Sequence, residues 1–179
     1  MKKLTNFAPV ELINQLEEVL TNHMFPWFWR PSTVYGVNEN NYYSNDYQFI
    51  HMAFYEGKPQ SELFNYVRPL LFEFEKATGL VIKDVFKIKA NLLPPQELEN
   101  IDESIHTDVD KSDKNYISIV YYVIDSDGDT VIYDDNGDIA LQASPVKGSA
   151  IYFSSYMKHR ATPPKTNKRR IVLNIIIEI

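Results

Sequence analysis

Beyond residue 80 the chain loses the three-to-four residue apolar period that a helix requires. It breaks instead into short runs rich in Val, Ile, Tyr and Phe: "VIKDVFKIKANLLP" (81–94), "YISIVYYVI" (116–124), "DTVIYDD" (129–135), "DIALQAS" (138–144), "GSAIYFSS" (148–155) and "RRIVLNIIIEI" (169–179). The clusters "DSDG", "DDNGD", "SPVKG" and "TPPKTNK" fall between them. Runs of this kind read as strands, and the clusters as turns. Asn136-Gly137 is a two-residue hairpin signal. So many short strands bury their apolar faces by packing as two layers, and the pattern predicts a double-stranded β-helix, or jelly roll, over 81–179.

The first 80 residues differ in kind. In "PVELINQLEEVLTNHM" (9–24), Val10, Ile13, Leu16, Val19 and Leu20 recur at helical spacing behind a proline. "SELFNYVRPLLFEFEKATG" (61–79) reads as a second helix ending at Gly79, with Pro69 as a kink or late start. "YQFIHMAFYEG" (47–57) is strand-like. The fold class is therefore α+β, mainly β: a single domain over 1–179, in which 1–80 form a helical buttress with a strand. "FPWFWRPSTVYG" is too rich in proline and aromatics for helix and predicts an extended segment. Trp27, Phe28 and Trp29 are expected in the core, or residues 25–35 form a lid or wall over a site.

The chain has no cysteine, which excludes disulfides, thiolate metal sites and a cysteine nucleophile. That fits a reducing cytoplasm. A net charge of −6 argues against nucleic acid as a partner, since only "KTNKRR" (165–170) is densely basic. Asn6, Glu11, Asn14 and Glu17 interrupt any leader-like apolar run, and no stretch approaches a membrane span. The reading is a cytoplasmic protein without a membrane partner; oligomeric state is left open.

One motif carries chemistry. In "ESIHTDVD" (103–110), on the rim of a strand, His106 and Asp108 are two residues apart and so face the same side. Two histidines and one carboxylate on one face of an octahedron suit non-haem Fe(II) and leave positions open. His159, in "YMKHRATPP", is a second histidine 53 residues later, just past the strand "AIYFSS".

The order His-x-Asp, tyrosine-bearing strand, distal His, then Arg about ten residues on resembles the Fe(II)- and 2-oxoglutarate-dependent dioxygenases, in their prolyl-hydroxylase-like branch. Here the elements are "HTD", "YISIVYYV", "KHRATPP" and "RRIVLNI". "DGDTVIY" corresponds to the family's GGxT strand, with Asp127 in place of the first glycine. The resemblance covers roughly residues 80–179. It implies that His106, Asp108 and His159 hold Fe(II), and that 2-oxoglutarate chelates the iron and sets its far carboxylate on an arginine. Arg170 fits that place better than Arg169, because "RIVL" matches the run that follows the family's arginine. Tyr122 is expected to donate to the same carboxylate, Asn174 to line the pocket on the Arg170 face, and Asn91 to contact co-substrate or substrate. The implied reaction is hydroxylation of a C–H bond in a peptide or small molecule, with succinate and CO2 released and ascorbate as a stimulating reductant. A prolyl or other protein side chain is the first substrate expectation, and a free amino acid or other metabolite the second. The competing readings are a jelly-roll binding module without chemistry and a cupin-like metalloenzyme that does not use 2-oxoglutarate.

Other features read more plainly. His51, inside "FIHMAF", reads as a satisfied core histidine, with a substrate contact as its alternative role. His23 lies near a helix end. "DSDGDTVIYDDN" has its glycine at the fourth place rather than the sixth, so it reads as a turn and not a calcium loop.

Overall fold

A computed structural model describes residues 1–32, 47–97, 104–110 and 114–179. Two helices appear among them, α1 (Val10–Thr21) and α2 (Leu63–Thr78). The strands are β1 (Lys2–Leu4), β2 (Phe28–Arg30), β3 (Gln48–Tyr55), β4 (Lys58–Pro59), β5 (Asp84–Leu93), β6 (Tyr116–Tyr122), β7 (Thr130–Tyr133), β8 (Ile139–Ala143), β9 (Ala150–Ser154), β10 (His159–Ala161) and β11 (Arg170–Glu178). The large sheet runs β1-β9-β6-β11-β5-β3-β2, with β4 paired to β3, and a small sheet runs β10-β7-β8. All the pairings are antiparallel. This is the expected jelly roll with helices on one side, in the same order as the runs in the sequence.

Period-2 alternation assigns the two faces of the large sheet. On β11, Ile171, Leu173, Ile175 and Ile177 join Leu12, Leu16 and Leu20 of α1 and Val67, Leu70 and Phe74 of α2 in one core. Val172 faces the other way, into a smaller core with Val120, Tyr122, Ile132, Ile151 and Phe153 between the two sheets. Because both faces of β11 are covered, its sequence is almost continuously apolar. The same alternation separates the tyrosine pair: Tyr121 points to the helices and Tyr122 to the inter-sheet space.

Four local expectations are corrected. Pro69 is interior to α2, which begins six residues earlier, so it does not mark a late start. The Asn136-Gly137 turn is not a two-residue loop. Asp134 N–H donates to Asp138 O (2.9 Å), closing a three-residue loop with Gly137 at φ 88° and a register shift in the β7–β8 ladder. The Asp134 carboxylate accepts from the N–H groups of Asn136 and Asp138 (2.9 and 3.0 Å) and so favours the longer loop. Phe28 and Trp29 are not core: 59% and 51% exposed, they lie on β2 at the sheet edge, and only Trp27 packs against the helix-side core. None of residues 25–32 lines the inter-sheet cavity, and the remainder of the lid expectation, 33–35, lies outside the described residues. Gly79 does end α2, at φ 71°, as a left-handed cap. No helix among the described residues is long and apolar enough to cross a membrane.

The two tyrosine hydroxyls make opposite predictions. Tyr121 Oη is buried without a hydrogen-bond partner among the described residues, whereas Tyr122 Oη donates to Thr130 Oγ1 at 2.9 Å. In urea denaturation, Tyr121→Phe is expected to leave stability unchanged or raise it by up to ~1 kcal/mol, and Tyr122→Phe to lower it by ~1 kcal/mol. A loss in Tyr121→Phe as large as that in Tyr122→Phe would contradict the assignment of faces.

Candidate functional site

His106, Asp108 and His159 converge although residues 104–110 do not form a regular strand. His106 makes one isolated antiparallel bridge with His159. Its N–H donates to His159 O (3.0 Å), and His159 N–H donates to His106 O (2.9 Å). Asp108 is held separately, its N–H donating to Ser155 O at 3.1 Å. The shared side of the His-x-Asp pair therefore comes from this bridge and a bend, not from the strand that the spacing suggested. One ligand atom from each of the three residues lies within 4.8 Å of the others. His159 Nε2 and Asp108 Oδ2 are 3.5 Å apart, near the roughly 3 Å edge made by two adjacent ligands each ~2.1 Å from one ion.

The surrounding groups set up the donor atoms. His106 Nδ1 is 3.0 Å from Ser104 O, and His159 Nδ1 is 3.0 Å from Met157 O. A carbonyl only accepts, so both Nδ1 atoms carry the hydrogen, which leaves Nε2 of each ring as the nitrogen that can ligate a metal. Asp108 Oδ2 accepts from Ser118 Oγ (2.5 Å), and Oδ1 accepts from Asn174 Nδ2 (3.1 Å). Burial pushes the His106 imidazole down to about 4, with His159 adding to the effect, which keeps it neutral. Burial works against the Asp108 charge. His159, Lys87, His106 and the Ser118 hydroxyl nevertheless hold its carboxyl well below the usual carboxylate range. Two imidazoles and one carboxylate form a donor set that fits Fe(II).

The far end of the cavity is built around Arg170. Its side chain is buried at 3% exposure, whereas Arg169 is exposed. Arg170 Nε donates to Gly128 O and Nη2 to Thr130 Oγ1, both at 2.8 Å, and the guanidinium lies 6.0 Å from the Tyr122 ring centre. Burial works against its charge, with Tyr122 and Asp129 acting the other way. Burial also raises the Tyr122 phenol, which stays a neutral donor. Val172 and Asn174 continue from Arg170 along the same face of β11 toward the trio, and Asn91 lies opposite Val172 on β5. All four residues expected around the co-substrate thus sit in one region with the trio: Arg170, Asn174 and Asn91 line the cavity, and Tyr122 packs beside Arg170. Asn174 also hydrogen-bonds Asp108 directly.

Several residues escaped the sequence reading. Ser118 and Tyr122 share a face of β6, so alternation from Tyr122 could have found the serine. Thr130 is the threonine of "DGDT", and its match to the GGxT pattern was a usable signal. Asp127, which departs from that pattern, organises the loop before β11. Its carboxylate accepts from Thr166 Oγ1 and from the N–H groups of Lys165, Thr166 and Asn167, and the Thr166 bonds above all lower it to about 2. Lys89 and Gln48 line the cavity with no sequence signal beyond strand parity. His51 belongs elsewhere: Nδ1 contacts Pro26 O (2.8 Å) and Nε2 contacts Ser61 Oγ (2.7 Å), so both ring nitrogens are engaged away from the cavity and no substrate contact remains for it.

Gly128 leaves no room for a side chain. A Cβ there would stand 2.5 Å from Thr162 O, 2.9 Å from Arg170 Cδ and 3.0 Å from Pro164 N. Gly128→Ala is expected to displace Arg170 and weaken 2-oxoglutarate binding by about tenfold or more, read by calorimetry with Mn(II), while circular dichroism shows the fold retained. Unchanged affinity in a folded variant would remove Arg170 from that role.

The profile of the 2OG-Fe(II) oxygenase superfamily matches residues 99–178. No curated protein matches the chain. Among solved structures, a prolyl-4-hydroxylase from Pseudomonas putida is similar at TM-score 0.62 and 16% identity, covering 99% of this chain and 91% of its own. A collagen prolyl hydroxylase of Paramecium Bursaria Chlorella virus-1, in complex with 2OG, is similar at TM-score 0.58 and 15% identity, with 99% and 96% covered. An oxidoreductase of the 2OG-Fe(II) oxygenase family from Burkholderia pseudomallei reaches TM-score 0.68 at 11% identity, with 98% and 84% covered. At these identities the neighbours attest the jelly-roll fold, and the profile covers the segment that carries the His-Asp-His trio and Arg170. The 2OG-Fe(II) oxygenase superfamily profile and the His-Asp-His donor set inside it support an oxidoreductase that uses Fe(II) and 2-oxoglutarate.

Proposed function

We propose that this protein hydroxylates a C–H bond of a small-molecule or peptide substrate, with residues 1–179 working as one catalytic domain. The observation that carries this reading is a single cavity lined by His106, His159 and the buried Arg170, with the Asp108 ligand atom within 4.8 Å of those of the two histidines. Bound Fe(II) and 2-oxoglutarate supply the oxidation: one oxygen of O2 enters succinate, the other becomes the hydroxyl of the product, and CO2 leaves.

The chain's own residues prepare that reaction. His106 and His159 turn Nε2 to the site through their Nδ1–H bonds to carbonyls, and the Asp108 carboxylate is oriented by Ser118 at Oδ2 and Asn174 at Oδ1. Arg170, steadied by Gly128 O and Thr130, offers a charged planar partner to the far carboxylate, and the Tyr122 hydroxyl donates to the same Thr130 Oγ1 that holds the guanidinium. Leu93, Val120 and Val172 line the passage between the ends and exclude water. Arg160 lines both this cavity and an outer groove that also has Pro95–Glu97 and Thr162–Lys165 in its lining.

Two substrate classes fit this chemistry, a prolyl or other protein side chain and a free amino acid or other small metabolite. A binding module without chemistry gains no support from two histidines and a carboxylate preorganised around one point. A cupin-like enzyme that does not use 2-oxoglutarate would leave the buried Arg170 without a role.

The test is conversion of 2-oxoglutarate to succinate by purified protein with Fe(II) and ascorbate, alongside Mn(II) binding by electron paramagnetic resonance. The wild type is expected to bind one Mn(II) and form succinate. His106→Ala and Asp108→Ala are expected to lose metal affinity by about 10-fold to 100-fold or more and to lose turnover. Arg170→Met is expected to keep the metal and lose 2-oxoglutarate. Metal binding that survives both ligand substitutions would reject the site.

A further inference from the structure

The cavity carries more polar groups than a metal ion and a keto acid can engage. 2-Oxoglutarate offers only oxygen acceptors, yet two acceptors in the cavity wall, Asn91 Oδ1 and Asn174 Oδ1, are buried with no hydrogen-bond partner among the described residues. Neither amide is free to turn over. Gln48 Nε2 donates to Ser32 O (3.1 Å), which directs Gln48 Oε1 at Asn91 Nδ2 (2.5 Å). Reversing Asn91 would set its oxygen against Gln48 Oε1, and reversing Asn174 would set its oxygen against Asp108 Oδ1. Both oxygens are therefore held as acceptors awaiting a donor.

A cation stands beside them. Lys89 is 6% exposed, lines the same cavity, and is the Cα partner of Asn174 across β5 and β11. It lies within electrostatic reach of Asp108 and His106, at the metal-binding end. Arg170 is four residues from Asn174 along β11, or ~13 Å of strand. In the reading above, Arg170 takes the far carboxylate of 2-oxoglutarate and the metal takes the keto-acid end. Besides Arg170 and Arg160, whose Nε donates to Tyr133 Oη, Lys89 is thus a further cation of the cavity wall, across the strand pair from Asn174 and next to acceptors that call for N–H donors.

We propose that this wall selects a zwitterionic substrate, a free α-amino or α-imino acid, with its carboxylate drawn to Lys89 and its N–H groups donating to Asn91 Oδ1 and Asn174 Oδ1. A residue inside a peptide chain has neither a free carboxylate nor an ammonium group at its α-carbon, so the wall favours the free acid over a protein side chain. The inference rests on the oxygenase reading and deepens it. Lys89, Asn91 and Gln48 become the residues that determine specificity.

The experiment is calorimetric titration of the protein loaded with Mn(II) and N-oxalylglycine, using the proteinogenic L-amino acids and their carboxamides. At least one free acid is expected to bind, with its carboxamide about tenfold or more weaker. Lys89→Met is expected to abolish that difference while N-oxalylglycine affinity stays within about twofold. Lys89→Gln serves if the methionine variant does not fold, and the acid-against-amide comparison in the wild type needs no variant. The proposal is overturned if no free acid binds, as it would be if ordered water alone satisfies the two asparagine oxygens. It is equally overturned if acid and carboxamide bind alike. Loss of N-oxalylglycine affinity in Lys89→Met would assign the lysine to the co-substrate instead. Failure of the wild type to bind Mn(II) and N-oxalylglycine refutes the oxygenase reading itself, whereas failure confined to the amino acids refutes this inference alone.

Discussion

The pairing of β11 between β5 and β6 is the constraint on which the rest depends. One strand serves both sides of the large sheet, with Ile171, Leu173, Ile175 and Ile177 against the helices and Arg170, Val172 and Asn174 toward the small sheet. A slip of one residue would exchange the two sets. It would put a guanidinium and an amide under α1 and α2, and isoleucines in the polar cavity between the sheets. Packing of the helix-side core and placement of the polar cavity are therefore one and the same register.

That register also permits two buried charges of opposite sign. Asp108 and Arg170 are each stabilised locally rather than by the other. Asp108 is held by Ser118 and Asn174, and Arg170 by Gly128 O and Thr130. A buried charge without such partners costs several kcal/mol. Satisfying each with neutral dipoles leaves its charge available to a ligand. The same economy governs the histidines, whose Nδ1–H groups are occupied by carbonyls so that Nε2 is left to face the site.

How far the sequence was legible varies by residue. The strand runs after residue 80 and both helices were readable because apolar periodicity reports which face is covered, and here nearly every strand is covered on at least one. Tyr122 was legible by motif, and strand parity supplies the independent reason, since Tyr121 on the opposite parity meets the helices. The choice of Arg170 over Arg169 is explained the same way: the first is interior and the second exposed. Less was visible where contacts are non-local. The turn after β7 gained a residue because the Asp134 side chain bonds two N–H groups beyond it. The 104–110 segment gave up regular strand geometry for one bridge to His159. Lys89 carries no sequence signal of its own, and its place on β5, between β11 and β3 and inside the sheet, accompanies its burial.

The sequence by itself determined the order of the strands, the helical buttress, the identity of the three donor residues and the presence of an arginine at the start of the last strand, because each is written in local periodicity or in a spaced motif. Tertiary structure alone decided which nitrogen of each histidine faces the site, which groups orient the Asp108 carboxylate, and that Lys89 and Gln48 line the cavity. These depend on hydrogen bonds and burial between segments tens of residues apart, and chain-local propensity carries no information about such partners.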